Sequence, residues 1–298
     1  MGDSDFSFPL SDLICSETIT HLNEDQGQEV LMPFSETEDE YVEALVLREK
    51  SFESRAIGVP EEADSLSKFA RSEAVRWVLR MKACFGFGYQ TVYLAMSYFE
   101  RFLVHQSIDE SKAWALKLLS VACLSLAAKM EECRPPALSE YQLEKYQFSS
   151  NVIQRTELLV LNTLEWRMCS VTPFAYLGYF ASKFECKSGR KDLFSRAIGF
   201  IFAIIEVMNL LDCRPSTIAA SAILAASYER LTKNSLQAKL SIVSLRELFE
   251  TENIFSCYSM MIQREKSKPP KLLVSLEVSN ICATSFSAKS HKRRRRLQ

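Results

Sequence analysis

Apolar residues recur at helical spacing along most of the chain. Ala74, Trp77, Val78, Met81 and Phe85 fall at i, i+3, i+4, i+7 and i+11, which places them on one face of a helix. Alternating β-branched runs are scarce, and the 298 residues include only eight glycines and nine prolines. The pattern therefore predicts an all-α protein of long helices joined by short turns.

One predicted helix differs from the rest because almost every face of it is apolar. It covers about residues 111–131 and contains the run Leu118 to Glu132, which is rich in Leu, Ala, Ser and Cys and ends in Lys129. A helix that is apolar all round must be buried on all sides. It is shorter than the ~20 apolar residues that a bilayer span needs, so we expect the central helix of a bundle.

The helical pattern occurs twice. The capping box at Thr37–Glu40 predicts one N-terminal helix, and five more helices are predicted from Ala74 to about residue 166, the shortest near Ser139 to Tyr146. The pattern restarts at Thr172-Pro173, and the segment Ser125–Lys129 has a counterpart at Ile223–Ser227. Further helices are predicted at 197–211, 218–228 and 245–262. We therefore expect two tandem five-helix folds, the first preceded by its N-terminal helix at 37–169 and the second at 170–266.

Charge is distributed unevenly, although the formal net charge is only −1. Residues 1 to 47 hold twelve acidic residues and neither Lys nor Arg, whereas the chain ends in a basic run. We expect disordered tails at 1–36 and 267–298. The basic run predicts a nuclear localisation signal, with a nonspecific nucleic-acid or solubilising tail as the alternative; its residues are Lys292, Arg293, Arg294, Arg295 and Arg296.

The nine cysteines are scattered without a Cys-x-x-Cys motif, and several lie in apolar helical runs. This pattern is typical of buried thiols in a reducing compartment. The first residues lack the basic and apolar regions of a signal peptide. We therefore expect a soluble intracellular protein that makes no membrane contact.

Residues that could form an active centre are few. The chain has three histidines, at 21, 105 and 291, too few and too dispersed for a histidine metal cluster or a Ser/His/Asp arrangement. Gly86-Phe-Gly88 lacks the third glycine and the preceding strand of a phosphate-binding loop. Adjacent acids such as Glu131 and Glu132 are usually solvated. We therefore expect that the protein is not an enzyme and that it binds neither a cofactor nor a metal ion.

Two charged residues interrupt otherwise apolar helix faces. Lys129 follows Ala122 and Leu118 on one helix, and Glu157 lies between Ile153 and Leu161 on another. The two could pair with each other, reach solvent at a frayed end, or contact a partner. The sequence leaves these alternatives open.

Residues Trp77 to Met168 resemble the cyclin box, and the run from Trp114 to Glu132 is similar to plant D-type cyclins. The resemblance implies two five-helix folds and a non-catalytic subunit that binds and activates a cyclin-dependent kinase. It places Lys129 and Glu157 at the polar kinase contacts of the box. It places Trp166 and Met168 at apolar contacts just after the same helix.

The acidic arm contains Leu13, Cys15 and Glu17, which face the same way in an extended chain. Leu-x-Cys-x-Glu is similar to the motif by which D-type cyclins bind retinoblastoma-related proteins. The resemblance therefore implies a second partner and a role in the G1/S transition of the cell cycle. Inhibitors of cyclin-dependent kinases are a further class of partner to expect.

The substrate-docking patch of many cyclins is matched only in part. Arg71 and Trp77 fit it, but Glu73 stands where an apolar residue is usual, which puts docking of Arg-x-Leu substrates in doubt. Two other classes of function stay open: a cyclin-fold transcription factor or nucleic-acid-binding protein, and an inert helical scaffold. Acids and bases are mixed within the predicted folds, which argues against direct nucleic-acid binding.

Overall fold

A computed structural model describes most of the chain between residues 36 and 267, and these residues all belong to one compact unit that begins at Glu36. The described ranges are 36–53, 64–106, 108, 112–141, 146–184, 189–227, 231–241, 243 and 246–267. Within them every regular element is helical, which confirms the all-α class. The α-helices are α1 (Glu36–Glu53), α2 (Asp64–Phe85), α3 (Tyr89–His105), α4 (Ala113–Glu131), α5 (Ser150–Thr163), α6 (Leu177–Lys183), α7 (Arg190–Ile205), α8 (Pro215–Ser227), α9 (Lys233–Leu240) and α10 (Thr251–Ser267).

The helix predicted to be central is at the centre of the first group of helices. Every residue of α4 from Leu118 to Ala128 is buried, and α4 packs against α2, α3 and α5. Its small side chains allow this close approach on several sides. We expected this helix to be too short for a membrane span, but its length and hydropathy are sufficient for one. Because neighbouring helices bury it, we identify it as a core helix.

The second group of helices repeats this arrangement around α8. Residues Ser216 to Ala226 are all buried, and α8 packs against α6, α7 and α10. The tetrapeptides Ser125–Ala128 and Ile223–Ala226 thus lie in the central helices of their groups. This arrangement is consistent with the expected tandem repeat.

Helix ends and short helices differ most from the predictions. Helix α5 ends at Thr163 rather than 166 because Glu165 and Trp166 have left-handed backbone conformations. Only a 3₁₀ turn, Leu138–Glu140, forms in the described part of the segment expected to be helical from 139 to 146. Helices α6 and α9 are seven and eight residues long, too short to give a clear periodic pattern.

The cysteines are not uniformly buried. Cys123 and Cys257 lie in the core, whereas Cys84, Cys133 and Cys169 are exposed. The exposed three lie near or just after helix ends, where periodicity no longer fixes which way a side chain points. The expectation of buried thiols was therefore wrong for these positions.

A buried carboxylate attaches α1 to the second group of helices. Glu49 is 4% exposed and accepts hydrogen bonds from the Tyr176 hydroxyl at 3.0 Å, the Ser216 backbone N–H at 3.1 Å and the Ser216 hydroxyl. Ser216 lies in the first turn of α8, where the free N–H groups favour an anion. Burial nevertheless raises the pKa of Glu49, an effect that these hydrogen bonds oppose.

Candidate functional site

The two charged residues singled out from the sequence form an ion pair. Lys129 Nζ lies 2.6 Å from Oε1 and 2.7 Å from Oε2 of Glu157. The Lys129 side chain is 42% exposed, while that of Glu157 is 7% exposed. Of the three alternatives left open by the sequence, the structure therefore shows that the two residues pair with each other. The pair lies at the surface, and Lys129 is the more exposed of the two residues.

The helices fix this geometry. Lys129 lies in the last turn of α4, where a cation interacts favourably with the negative end of the helix dipole. Glu157 lies in the middle of α5, between the buried residues Ile153 and Val160, and α4 packs directly on α5. Packing of the two apolar faces thus brings the two charges together.

The pair retains unused hydrogen-bonding capacity. An ammonium group has three donors, and a carboxylate accepts about four hydrogen bonds. The contacts between Lys129 and Glu157 use two donors and one lone pair on each oxygen. The site can therefore donate to a partner's carbonyl oxygen and accept from a partner's N–H without breaking the ion pair.

Exposed apolar side chains flank the pair in sequence. Met130 follows Lys129 and is 48% exposed, Leu158 follows Glu157 and is 53% exposed, and Val152 and Leu159 of α5 are also exposed. Groups of exposed large hydrophobic residues are typical of protein interaction sites. Both charged residues are therefore next to apolar side chains available to a partner.

The turn after α5 presents Trp166 to solvent. Glu165 and Trp166 have φ values of 53° and 59°, an unusual conformation for residues other than glycine. It is held by hydrogen bonds that close the helix, including one from Trp166 N–H to the Leu161 carbonyl at 2.9 Å. Trp166 is 62% exposed as a result.

Met168 does not share this exposure. Its side chain is 5% exposed and belongs to the core, and its carbonyl oxygen accepts a hydrogen bond from the Tyr98 hydroxyl at 2.8 Å. The side chain offers almost no surface to a partner. We therefore correct the sequence-based set by removing Met168 from the direct contacts and assigning it to the core.

The two docking residues taken from the resemblance are also inaccessible. Arg71 is 6% exposed and Trp77 is 3% exposed. Nearby, Glu73 forms ion pairs with Arg76 at 2.7 Å and Lys117 at 3.4 Å. A charged cluster therefore lies where apolar docking would need an open hydrophobic surface, and Arg71 and Trp77 are corrected to structural residues.

Sequence reasoning missed the partner of Arg71. Glu100 of α3 is 4% exposed, lies 3.9 Å from Arg71 Nε, and accepts a hydrogen bond from the Leu210 backbone N–H. Burial raises the pKa of Glu100 to about 8, although Arg71 and Leu210 act to lower it. The available clue was an acid within the apolar run from Tyr98 to Leu103.

Glu132 was also missed as a structural residue. Its Oε1 accepts hydrogen bonds from Gly88 N–H at 2.8 Å and Thr91 Oγ1 at 2.5 Å. Both donors lie at the start of α3, so Glu132 satisfies groups at that helix end. The expectation of a solvated carboxylate was wrong for Glu132.

The remaining predicted sites lie outside the described residues. These are the arm motif at Leu13, Cys15 and Glu17 and the basic run from Lys292 to Arg296. Among the described residues, no group of three or more His, Cys, Asp or Glu side chains is arranged to hold a metal ion.

Comparison with known proteins defines the family. Residues 40–169 match the family model described as "Cyclin, N-terminal domain". The chain is 36% identical to Cyclin-D5-1 of Arabidopsis thaliana over 301 residues, covering 93% of this chain and 91% of that protein. It is 46% identical to Cyclin-D5-2 of Oryza sativa subsp. japonica over 221 residues, covering 67% and 60%.

The chain therefore belongs to the cyclin family, and its relatives are D-type cyclins. It spans about 60% of the rice Cyclin-D5-2 and 56% of the rice Cyclin-D5-1. A viral cyclin from herpesvirus saimiri has the same fold, with a TM-score of 0.58 at 14% identity, covering 76% of this chain and 96% of the viral chain.

Proposed function

We propose that this cyclin is a non-catalytic regulatory subunit that binds and activates a cyclin-dependent Ser/Thr kinase. The observation that carries the proposal is the surface pair of Lys129 and Glu157, with exposed apolar residues next to both. Cyclins as a family regulate protein kinases, and the resemblance to the cyclin box implies that this pair makes its polar kinase contacts.

The physical basis of activation is selective binding of one kinase conformation. An active kinase needs the lysine of strand β3 paired with the αC glutamate and its activation loop in place. A rigid helical surface that binds only this arrangement shifts the equilibrium by its difference in affinity for the two states. About 5.5 kcal/mol of differential binding converts a 1:99 population into 99:1.

The polar pair and the apolar residues have separate tasks in this interface. Lys129 and Glu157 offer a donor and an acceptor at fixed positions, and Met130, Leu158 and Trp166 supply apolar area. Polar groups surrounded by a water-excluding apolar contact form the strongest part of many interfaces. The expected kinase contact is therefore centred on the end of α4, the middle of α5 and the turn after α5.

The test is reconstitution of the full chain with a cyclin-dependent kinase. Co-purification measures binding, and phosphate transfer to a substrate protein measures activation. The Lys129→Ala/Glu157→Ala double variant should lose both, whereas Lys191→Ala, an exposed lysine on α7, should lose neither. Unaltered activation by a folded double variant would contradict the proposal.

We further propose that the arm directs the kinase to a retinoblastoma-related protein and so promotes the G1/S transition. The support is the sequence motif Leu13, Cys15 and Glu17 and the D-type relatives. Substituting all three residues with alanine should abolish binding of the arm to a retinoblastoma-related protein while leaving kinase activation intact. Binding that survives the substitution would remove this assignment.

Nuclear localisation is proposed from the basic run Lys292 to Arg296. Residues 285–298 fused to a cytoplasmic reporter should carry it into the nucleus, and alanines at the five basic positions should prevent this. A reporter that stays cytoplasmic with the natural segment would contradict the proposal.

A further inference from the structure

A small cleft lies away from the ion pair, where the end of α1, the end of α3 and the turn after α5 meet. Its volume is about 50 Å³, and its lining includes Phe52, Arg101, His105, Glu165 and Arg167. No part of the proposed function uses this cleft. Its lining combines two guanidinium groups, an imidazole and one carboxylate with one aromatic ring.

The two arginines share the aromatic ring of Phe52. The guanidinium carbon of Arg167 lies 4.6 Å from the ring centroid, and that of Arg101 lies 5.2 Å from it. Such contacts attract each cation to the ring face, but they also bring two like charges close together. Burial lowers the pKa of Arg101; Tyr98 opposes this effect and Arg167 adds to it.

The hydrogen bonds of Arg101 and Arg167 go to oxygens that carry no charge, two backbone carbonyls and one hydroxyl. Other arginines of the described helices form ion pairs with carboxylates, as Arg76 does with Glu73 and Arg264 with Glu206. Among the described residues that line the cleft, two guanidinium groups therefore face one carboxylate, that of Glu165.

Backbone acceptors hold both guanidinium groups in place. Arg167 Nη2 donates to the Ser51 carbonyl at 2.9 Å, and Arg101 Nη1 donates to the Arg167 carbonyl at 2.8 Å and the Ser170 hydroxyl at 3.2 Å. A guanidinium group has five N–H donors, so each arginine keeps donors available. His105 Nδ1 lies 2.8 Å from the Arg101 carbonyl, which fixes its ring at the same place.

We propose that this cleft binds the phosphoryl group of a phosphorylated Ser or Thr in a protein segment. A phosphoryl group has about two negative charges and three acceptor oxygens, so it can accept from both guanidinium groups and offset their mutual repulsion. The cleft has room for one such group. Nucleic acid would need a row of phosphate contacts, whereas this cleft offers a single one.

The test follows the Nε–H signals of Arg101 and Arg167 by NMR in the full chain, without a kinase, so its outcome is independent of the proposed function. The probes are a phosphothreonine peptide flanked by alanines, the same peptide without phosphate, and inorganic phosphate. The phosphopeptide should shift both signals saturably, and the unphosphorylated peptide should shift neither. Inorganic phosphate should compete with it.

Variants separate the cleft from general charge effects. Arg167→Gln should weaken phosphopeptide binding about tenfold, because it removes the charge and the fork of donors. Arg167→Lys should lose less, and Arg196→Gln on the exposed side of α7 should lose nothing. Circular dichroism should show that each variant folds. If Arg167→Gln does not fold, the loss of phosphopeptide binding is measured in Arg167→Lys instead.

Three results would overturn the proposal. One is the absence of a saturable shift with the phosphopeptide. Another is that inorganic phosphate binds but the phosphopeptide binds no better than its unphosphorylated form. The cleft would then be a site for free anions and not for phosphorylated protein segments. The third is equal loss of binding in Arg196→Gln.

Discussion

The ion pair of Lys129 and Glu157 can be tested for a role in both stability and binding. The perturbation is a double-mutant cycle of Lys129→Ala, Glu157→Ala and the double variant. The resemblance alone predicts a loss of binding with an intact fold. The geometry adds a cost in stability, because Lys129 is the donor to both oxygens of a carboxylate that is 7% exposed.

The magnitudes follow from the exposure of each side chain. A buried polar group left without its partner costs about 1–3 kcal/mol, and the 42% exposure of Lys129 puts the cost near the lower limit because water reaches the site. We expect each single variant to lose about 1 kcal/mol in the free energy of unfolding. The double variant should lose less than the sum, since no charge is left unpaired.

Kinase affinity should respond more strongly than stability. A polar contact at the centre of an interface contributes about 2 kcal/mol or more, so each single variant should bind the kinase about 30-fold more weakly. Urea unfolding followed by circular dichroism measures the stability, and titration with purified kinase measures the affinity. Loss of stability with unchanged affinity would show that the pair serves only this chain's own fold and would refute the reasoning.

Three further predictions concern Trp166, Glu100 and Ala127. Trp166→Ala should weaken kinase binding without lowering the melting temperature, because the ring is 62% exposed; a large drop in melting temperature would place the ring in the fold. Because burial raises the folded-state pKa of Glu100 to about 8 from an ordinary 4.5, the folded state retains a proton that the unfolded state loses. The contribution of Glu100 to the free energy of unfolding should therefore fall between about pH 4.5 and 8, by up to about 1.4 kcal/mol per pH unit. Glu100→Gln should flatten this dependence in urea unfolding at several pH values, and an unchanged slope would exclude Glu100 as its source. Ala127→Leu should destabilise the chain by about 1–3 kcal/mol, since the position is fully buried in α4; wild-type stability in thermal unfolding would mean that α4 is less tightly packed than described.

Periodicity predicted the long helices because it depends only on local geometry. The stripe from Ala74 to Phe85 became the second half of α2, and the apolar run from Leu118 to Ala128 is buried throughout. A side chain's position around a helix axis depends on its residue number alone. The predictions failed at helix ends, where Glu165 and Trp166 adopt left-handed conformations that their residue types do not favour.

The sequence could not predict which side chains of the candidate site are exposed to solvent and which are buried. Trp166 and Met168 are two residues apart and both apolar, yet one is 62% exposed and the other 5%. Arg71 and Glu100 look like surface residues by type, but they lie buried beside each other. Burial depends on which helices pack against a position, and these contacts join residues distant in the chain.

By itself, the sequence determined the helical class, the two central helices and the presence of charges at Lys129 and Glu157 on otherwise apolar faces. Only the tertiary structure decided that these charges pair, that Trp166 is exposed and Met168 buried, and that Arg101 and Arg167 both lie against the ring of Phe52. The physical reason is the range of the interactions. Helix formation is decided within a few turns, whereas a site is formed by side chains that packing brings together from separate helices.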